Sequence, residues 1–218
     1  MAALFNPRLF RRILLFLVGN FVLAMGVSMA VKSDLGITPV NSIAYVSSRI
    51  FYIDHGLMTA IVYCSYVLFQ LIILGKEFRL YSFLQMGVAI LFGGFVSLTN
   101  RIFSFPAPEA YWIRFLLMLA SIVVLALGIL LYLRANLMPQ PADGLLLAVQ
   151  KKTGWKLQNS KIILDFFITA VALTVSLIAA GRIIGLREGT LLAMLGVGKT
   201  MGLISGWLGP KIDALFKL

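Results

Sequence analysis

The 218-residue chain has one cysteine, one histidine and eight acidic residues, and only 12% of its residues are charged. A lone Cys64 excludes an intramolecular disulfide and a cysteine-cluster metal site. With His55 as the single histidine, no His-rich metal centre or serine–histidine triad can be assembled, and neither HExxH nor GxSxG occurs. The string Gly196-Val197-Gly198-Lys199-Thr200 lacks the first glycine of a phosphate loop, because Ala193 stands there, and no strand signal precedes it. No enzyme, cofactor or metal is therefore expected. The scarcity of charge excludes more. Soluble domains carry about 25% charged residues, and so few polar groups cannot cover a 24.0 kDa globule.

What the chain has instead is apolar length. It is 61% hydrophobic with a mean hydropathy of +0.98, and six runs near 19 residues stand out: 13–31, 57–75, 80–98, 115–133, 162–180 and 189–208. Each matches the length a helix needs to cross about 30 Å of hydrocarbon. The net charge of +11 comes from Lys and Arg between these runs, so it is read as a topology signal and not as a nucleic-acid surface. With both termini cytoplasmic, the inner segments hold Arg8, Arg11, Arg12, Lys76, Arg79, Arg134, Lys151, Lys152, Lys156, Lys161, Lys211 and Lys217, and the outer ones Lys32, Arg49, Arg101, Arg114, Arg182 and Arg187. That bias orients a multi-pass protein with both termini on the cytoplasmic side, its spans in contact with membrane lipid. Residues 1–218 read as a single membrane domain.

The chain also resembles itself. Val22–Ile43 aligns without gaps on Val124–Leu145, pairing Gly26 with Gly128, Asp34 with Asn136, Pro39 with Pro141 and Asn41 with Asp143, each 102 residues apart. Gly75–Gln85 aligns on Gly181–Leu191 at an offset of 106, which implies four extra residues in the second half. Two units follow, about 13–100 and 115–210. Three spans per unit put the second copy upside down, the inverted topology of many secondary transporters. Between the first and second spans of each unit lies a short helix opened by a proline at its first position, about 39–53 and 141–153. At 1.5 Å per residue neither crosses a bilayer, so each is interfacial or re-entrant.

Those prolines mark the candidate site. Asn41 and Asp143 fall in the first turns, where backbone N–H groups and the positive end of the dipole gather. Thr38 is placed to cap the first helix, and Gln140, with Asp34 and Asn136 as secondary members, flanks the same turns. One reading is plain helix capping; the other is paired N-termini at a central cavity, binding an anionic group while Asp143 takes a cation or proton. Lys199 lies inside the last span, where a charge is a functional signal. It is a candidate substrate contact, or the partner of Asp165 in a coupling or structural ion pair. Asp165 has a second possible partner in Lys161, four residues before it.

The segment Pro141, Asp143, Gly144, Leu145, then Thr153-Gly154 and the late Gly189-Thr190, with the sister motif Leu35-Gly36-Ile37-Thr38-Pro39, resembles the YczE/YyaS/YitT family of small prokaryotic membrane proteins over about residues 20–210. The resemblance implies a six-helix integral membrane protein with duplicated halves and no known reaction. Met138 and Gly198-Lys199 depart from the family pattern.

The expected fold is thus an all-α membrane protein of six transmembrane helices in two inverted three-helix repeats, each with a short Pro-initiated helix. The expected function is a small secondary transporter or facilitator of a small polar or anionic solute, its site at the repeat interface, with proton coupling through Asp143 or Asp165. Homodimerisation is compatible with so small a chain. The alternative is a non-transporting scaffold or regulator whose lysines at 151, 152, 156 and 161 dock a protein or anionic lipid.

Overall fold

In the computed structural model, residues 7–216 are described; Lys217, counted above among the inner charges, lies outside them. The described residues form eight α-helices and no strand: α1 Pro7–Ser33, α2 Pro39–Phe51, α3 His55–Leu74, α4 Leu84–Ile102, α5 Tyr111–Ala135, α6 Pro141–Thr153, α7 Leu157–Ala180 and α8 Glu188–Phe216, with two 3-10 turns between α3 and α4. Six of the eight are long and apolar enough to cross a membrane. The protein is an all-helical, multi-pass membrane protein. The helices run past the expected apolar windows at most ends. α1 begins at Pro7, six residues before its window, and carries Arg8, Arg11 and Arg12 in its first turns.

The central seam joins α1 to α5. Gly19, Gly26 and Ser33 of α1 face Tyr132, Leu125 and Met118 of α5. As one number rises by seven the other falls by seven, so the two helices lie antiparallel along their whole length. The seam is built on small residues, which let helix backbones approach where lipid offers no hydrophobic drive for association. A Cβ added at Gly19 would sit 2.5 Å from the Tyr132 amide nitrogen, one at Gly26 2.7 Å from Leu125 Cγ, and one at Gly128 2.5 Å from the Leu23 nitrogen.

We call upper the face where α1 ends and α3 begins, and lower the face where α1 begins. α3 and α4 form a second antiparallel pair, with Gly56 against Gly93 near the upper end and Gln70 bonded to Gln85 near the lower. The short helices cross over: α2 packs on α7 and α6 on α3. α8 lies at the edge against α5, and Leu191, Leu195, Leu203 and Trp207 on it are exposed.

Positions 102 or 106 residues apart share local geometry. Asp34 and Asn136 both adopt the left-handed conformation, with φ of 53° and 47°. α2 and α6 both have 13 residues and proline at the first position. Gly75 and Gly181 both end their helices, α3 and α7, at positive φ (53° and 64°), but their ψ angles differ, −119° against 8°. α7 has 24 residues against 20 in α3, so the four extra residues of the second half are one further helical turn. The first short helix stops at Phe51, two residues before the expected end, because Tyr52 turns left-handed (φ 55°) and its N–H closes back on the Ser48 carbonyl.

Candidate functional site

Both short helices start inside the bundle and return to a face. Before α2, Thr38 is extended (φ −64°, ψ 144°) and Pro39 opens the helix. In its first turn Asn41 Oδ1 accepts from Tyr63 Oη at 3.0 Å, and the Val40 carbonyl accepts from Tyr66 Oη at 3.0 Å. Tyr63 is eight residues into α3, about 12 Å below its upper end. The last turns of α2 come back up, where the Tyr45 ring meets His55 edge-on at 5.3 Å.

The start of α6 is held from three sides. Gln140 Nε2 donates to Asn20 Oδ1, midway along α1, at 2.7 Å. Gln70 Nε2 donates to the Pro141 carbonyl and to Gln85 Oε1, each at 3.0 Å. Asp143 accepts a hydrogen bond from Tyr132 Oη. α6 then returns to the lower face, where Lys151 pairs with Glu77 at 2.8 Å. Gly144 is where α6 comes closest to α3 and α4: a Cβ there would lie 2.5 Å from Gln85 Oε1 and 2.7 Å from Gln70 Oε1.

These contacts make one slanted polar layer, whose Gln70–Gln85 end lies about 10 Å lower along α3 than Tyr63. Asn20, Asn41, Gln70, Gln85 and Gln140 are each at most 5% exposed, inside a largely apolar bundle. Burying an amide costs several kcal/mol in an apolar medium unless it is hydrogen-bonded, and each of the five is bonded. Asp143 is half-buried and lies within electrostatic reach of Tyr63, Lys161 and Asp165. Among the described residues it forms no ion pair. A carboxyl with a phenol donor and no fixed counter-charge can exchange a proton or meet a cation. No group of three metal-ligating side chains occurs among the described residues.

Of the residues singled out in the sequence, the structure brings Thr38, Asn41, Gln140, Asp143 and Asp165 to this layer or its edge. Thr38 stands at the N-cap but makes no side-chain cap bond; its Oγ1 accepts instead from Asn41 Nδ2 at 2.8 Å. Lys199 does not pair with Asp165. Asp165, 2% exposed, is held by Lys161 at 2.6 and 2.7 Å, the nearer partner one turn away on the same helix, whereas Lys199 is exposed on α8.

Asp34 and Asn136 stand apart from the layer at opposite faces. Asp34 is exposed and pairs with Arg114 at 2.9 Å, while the Asn136 carbonyl accepts from Arg12. The lysine cluster is thinned as well: Lys151 and Lys161 are committed to Glu77 and Asp165, leaving Lys152 and Lys156 exposed. Sequence reasoning missed Asn20, Gln70, Gln85 and the three tyrosines. An amide inside an apolar span is the signal that would have found the first three.

A curated relative, the "Uncharacterized membrane protein YczE" of Bacillus subtilis (strain 168), is 27% identical over 144 residues, which cover 66% of this chain and 65% of the relative. The matched region thus spans just under two thirds of that relative's length. No solved structure matches the chain. The family model described as "Family of unknown function (DUF6198)" matches residues 10–206, and the chain belongs to that family.

Proposed function

We propose that the protein is a small secondary transporter or facilitator in a prokaryotic cell (inner) membrane, moving a small polar or anionic solute past the polar layer at the starts of α2 and α6. The observation that carries this reading is the layer itself: two proline-opened helices begin at depth, their first turns bound to buried amides and phenols, with one carboxyl lacking an ionic partner. Non-regular backbone at membrane depth is tolerated where it is buried in protein or lines a pathway. Secondary transporters place solute and coupling-ion sites at such breaks.

The proposal includes two inverted repeats, about 13–100 and 115–210. Its support is the antiparallel α1–α5 seam, the matching turns at Asp34 and Asn136, and the equal lengths of α2 and α6. It also sets the lower face, with both termini, in the cytoplasm, following the excess of Lys and Arg there. Proton coupling falls to Asp143, with Asp165 its charged neighbour. A scaffold docking through the lower lysines draws less support, since two of the four are spent within the chain.

The test uses purified protein in proteoliposomes with amino acids and organic anions. A transported solute also stabilises the folded protein, by about 2.7 kcal/mol at 100 times its dissociation constant. Flux should vanish in Asp143→Asn and fall in Tyr132→Phe, with both variants folded. An Asp143→Asn protein that transports like wild type, or a folded wild type that neither moves nor binds any solute of the panel, would sink the proposal.

A further inference from the structure

A cavity of about 870 Å³ opens on the upper face, between the turn joining α2 to α3 and the turn joining α7 to α8, with the end of α1 at its side. Its walls are held in place from below. The Ile37 amide donates to the Gly185 carbonyl at 3.1 Å and the Gly189 amide to the Leu35 carbonyl at 2.7 Å. Gly185 lies against the Tyr45 ring so closely that a Cβ would stand 2.4 Å from it. The site is therefore built by tertiary contacts and not by one loose loop.

Lys32, Arg49, Arg182 and Arg187 line this cavity, against two acids, Asp34 and Asp54. Both acids are already engaged. Asp34 is bound by Arg114 at 2.9 Å and by Arg187 at 3.6 Å. Asp54 accepts from the Leu57 amide at 2.9 Å and from Ser97 Oγ. Among the described residues, Lys32, Arg49 and Arg182 pair with no carboxylate. Aromatic faces position two of them without neutralising them: the Arg49 guanidinium lies 5.1 Å from the Tyr45 ring centre and the Lys32 amine 6.0 Å from that of Phe105.

The same wall holds a second unmet demand. Asn100 Nδ2 and His55 Nδ1 share a hydrogen bond at 3.1 Å, which leaves His55 Nε2 and Asn100 Oδ1 buried with no partner. Whichever tautomer and amide orientation holds, one donor and one acceptor are left over. Buried polar atoms are almost always paired, so an unpaired couple on a cavity wall points to a group supplied from outside.

We propose that this upper cavity binds a small water-soluble organic anion, its carboxylates met by Lys32, Arg49 and Arg182 and its remaining polar atoms by His55 and Asn100. The walls are helix ends and the turns between them at the upper face of the bundle, which favours a solute from water over a lipid headgroup. The inference concerns equilibrium binding and stands apart from the transport reading.

The experiment is calorimetric titration of the full chain in phosphatidylcholine nanodiscs with citrate and succinate, and with succinamide as the neutral control. Citrate or succinate should bind and succinamide should not. The dissociation constant should rise at least tenfold in Arg49→Gln/Arg182→Gln and recover in Arg49→Lys/Arg182→Lys. Lys152→Gln/Lys156→Gln, on the opposite face, should bind as wild type. If the double glutamine variant fails to fold, Lys32→Gln is read in its place, with at least a threefold loss expected. Failure of both dianions to bind, binding unchanged by the upper-face substitutions, or an effect of phosphatidylglycerol nanodiscs alone would each overturn the proposal. Citrate binding lost in Arg49→Gln/Arg182→Gln, with flux of a solute through the polar layer unchanged, separates this site from that layer.

Discussion

Gly26 rests on Leu125 and Gly128 rests on Leu23, so two glycines 102 residues apart make the same contact in exchange. The two contacts exchange equivalent positions across the α1–α5 seam. It is the most local form in which the likeness between the halves of the chain becomes a contact.

Alanine at either glycine should therefore cost alike. A Cβ at Gly26 meets the Leu125 backbone nitrogen at 2.8 Å and one at Gly128 meets the Leu23 backbone nitrogen at 2.5 Å, so the helices must part. Overpacking of this kind costs about 1–3 kcal/mol. Gly202→Ala, where nothing lies within 4 Å, should be neutral or slightly stabilising. Thermal unfolding in detergent checks all three; a neutral Gly128→Ala beside a costly Gly26→Ala would refute the equivalence.

The two lysines named from sequence as partners for Asp165 should behave oppositely. Lys161→Met leaves a buried carboxylate without its cation, a loss of about 1–3 kcal/mol when the buried-pair figure is discounted for the half-exposed lysine. Lys199→Leu removes a charge from the outer surface of α8, about 16 Å along the helix from Glu188. It should insert more readily, by about 2.5–3.5 kcal/mol on the translocon scale, and bind solute as wild type. Loss of solute binding in Lys199→Leu would restore the substrate role expected from sequence.

Asp54 supplies an acid-side dependence. Burial pushes its carboxyl up, but hydrogen bonds from Ser97 Oγ and from the Leu57 and Gly56 amides outweigh burial and, with His55 nearby, leave it below its usual range. The sign follows: this stabilisation is complete above about pH 4 and is lost as pH falls through the lowered value. Asp54→Ala should cost about 0.5–2 kcal/mol at neutral pH as the loss of a helix cap, and should shrink the further drop in melting temperature between pH 5 and pH 3. An equal drop in variant and wild type would show that Asp54 does not carry it.

Much of the fold was legible because its signals are local. An apolar run near 19 residues has few alternatives to a membrane helix, and four of the six expected windows lie wholly within the observed helices, the other two running from α3 and α4 only into the 3-10 turns between them. Pro39 and Pro141 announced their helices because proline suits the first helical position; the second was placed at its observed bounds, 141–153. The candidate site was legible only at those prolines. Asn41, Gln140 and Asp143 follow from them by position, whereas Asn20, Gln70 and Gln85 come from three different spans, and no spacing along the chain links them.

By itself, the sequence determined the membrane-protein class, the number of long apolar helices, the two short helices and the likeness of the halves, since each depends on composition or period within a stretch of chain. Only the tertiary structure decided partners. It gave Asp165 to Lys161, sent Asp34 and Asn136 to opposite faces, turned Lys199 outward and gathered the upper cations around one cavity. A side chain's partner depends on which helices meet and at what depth, and that is set by close contacts such as those at Gly26 and Gly128, which no single segment contains.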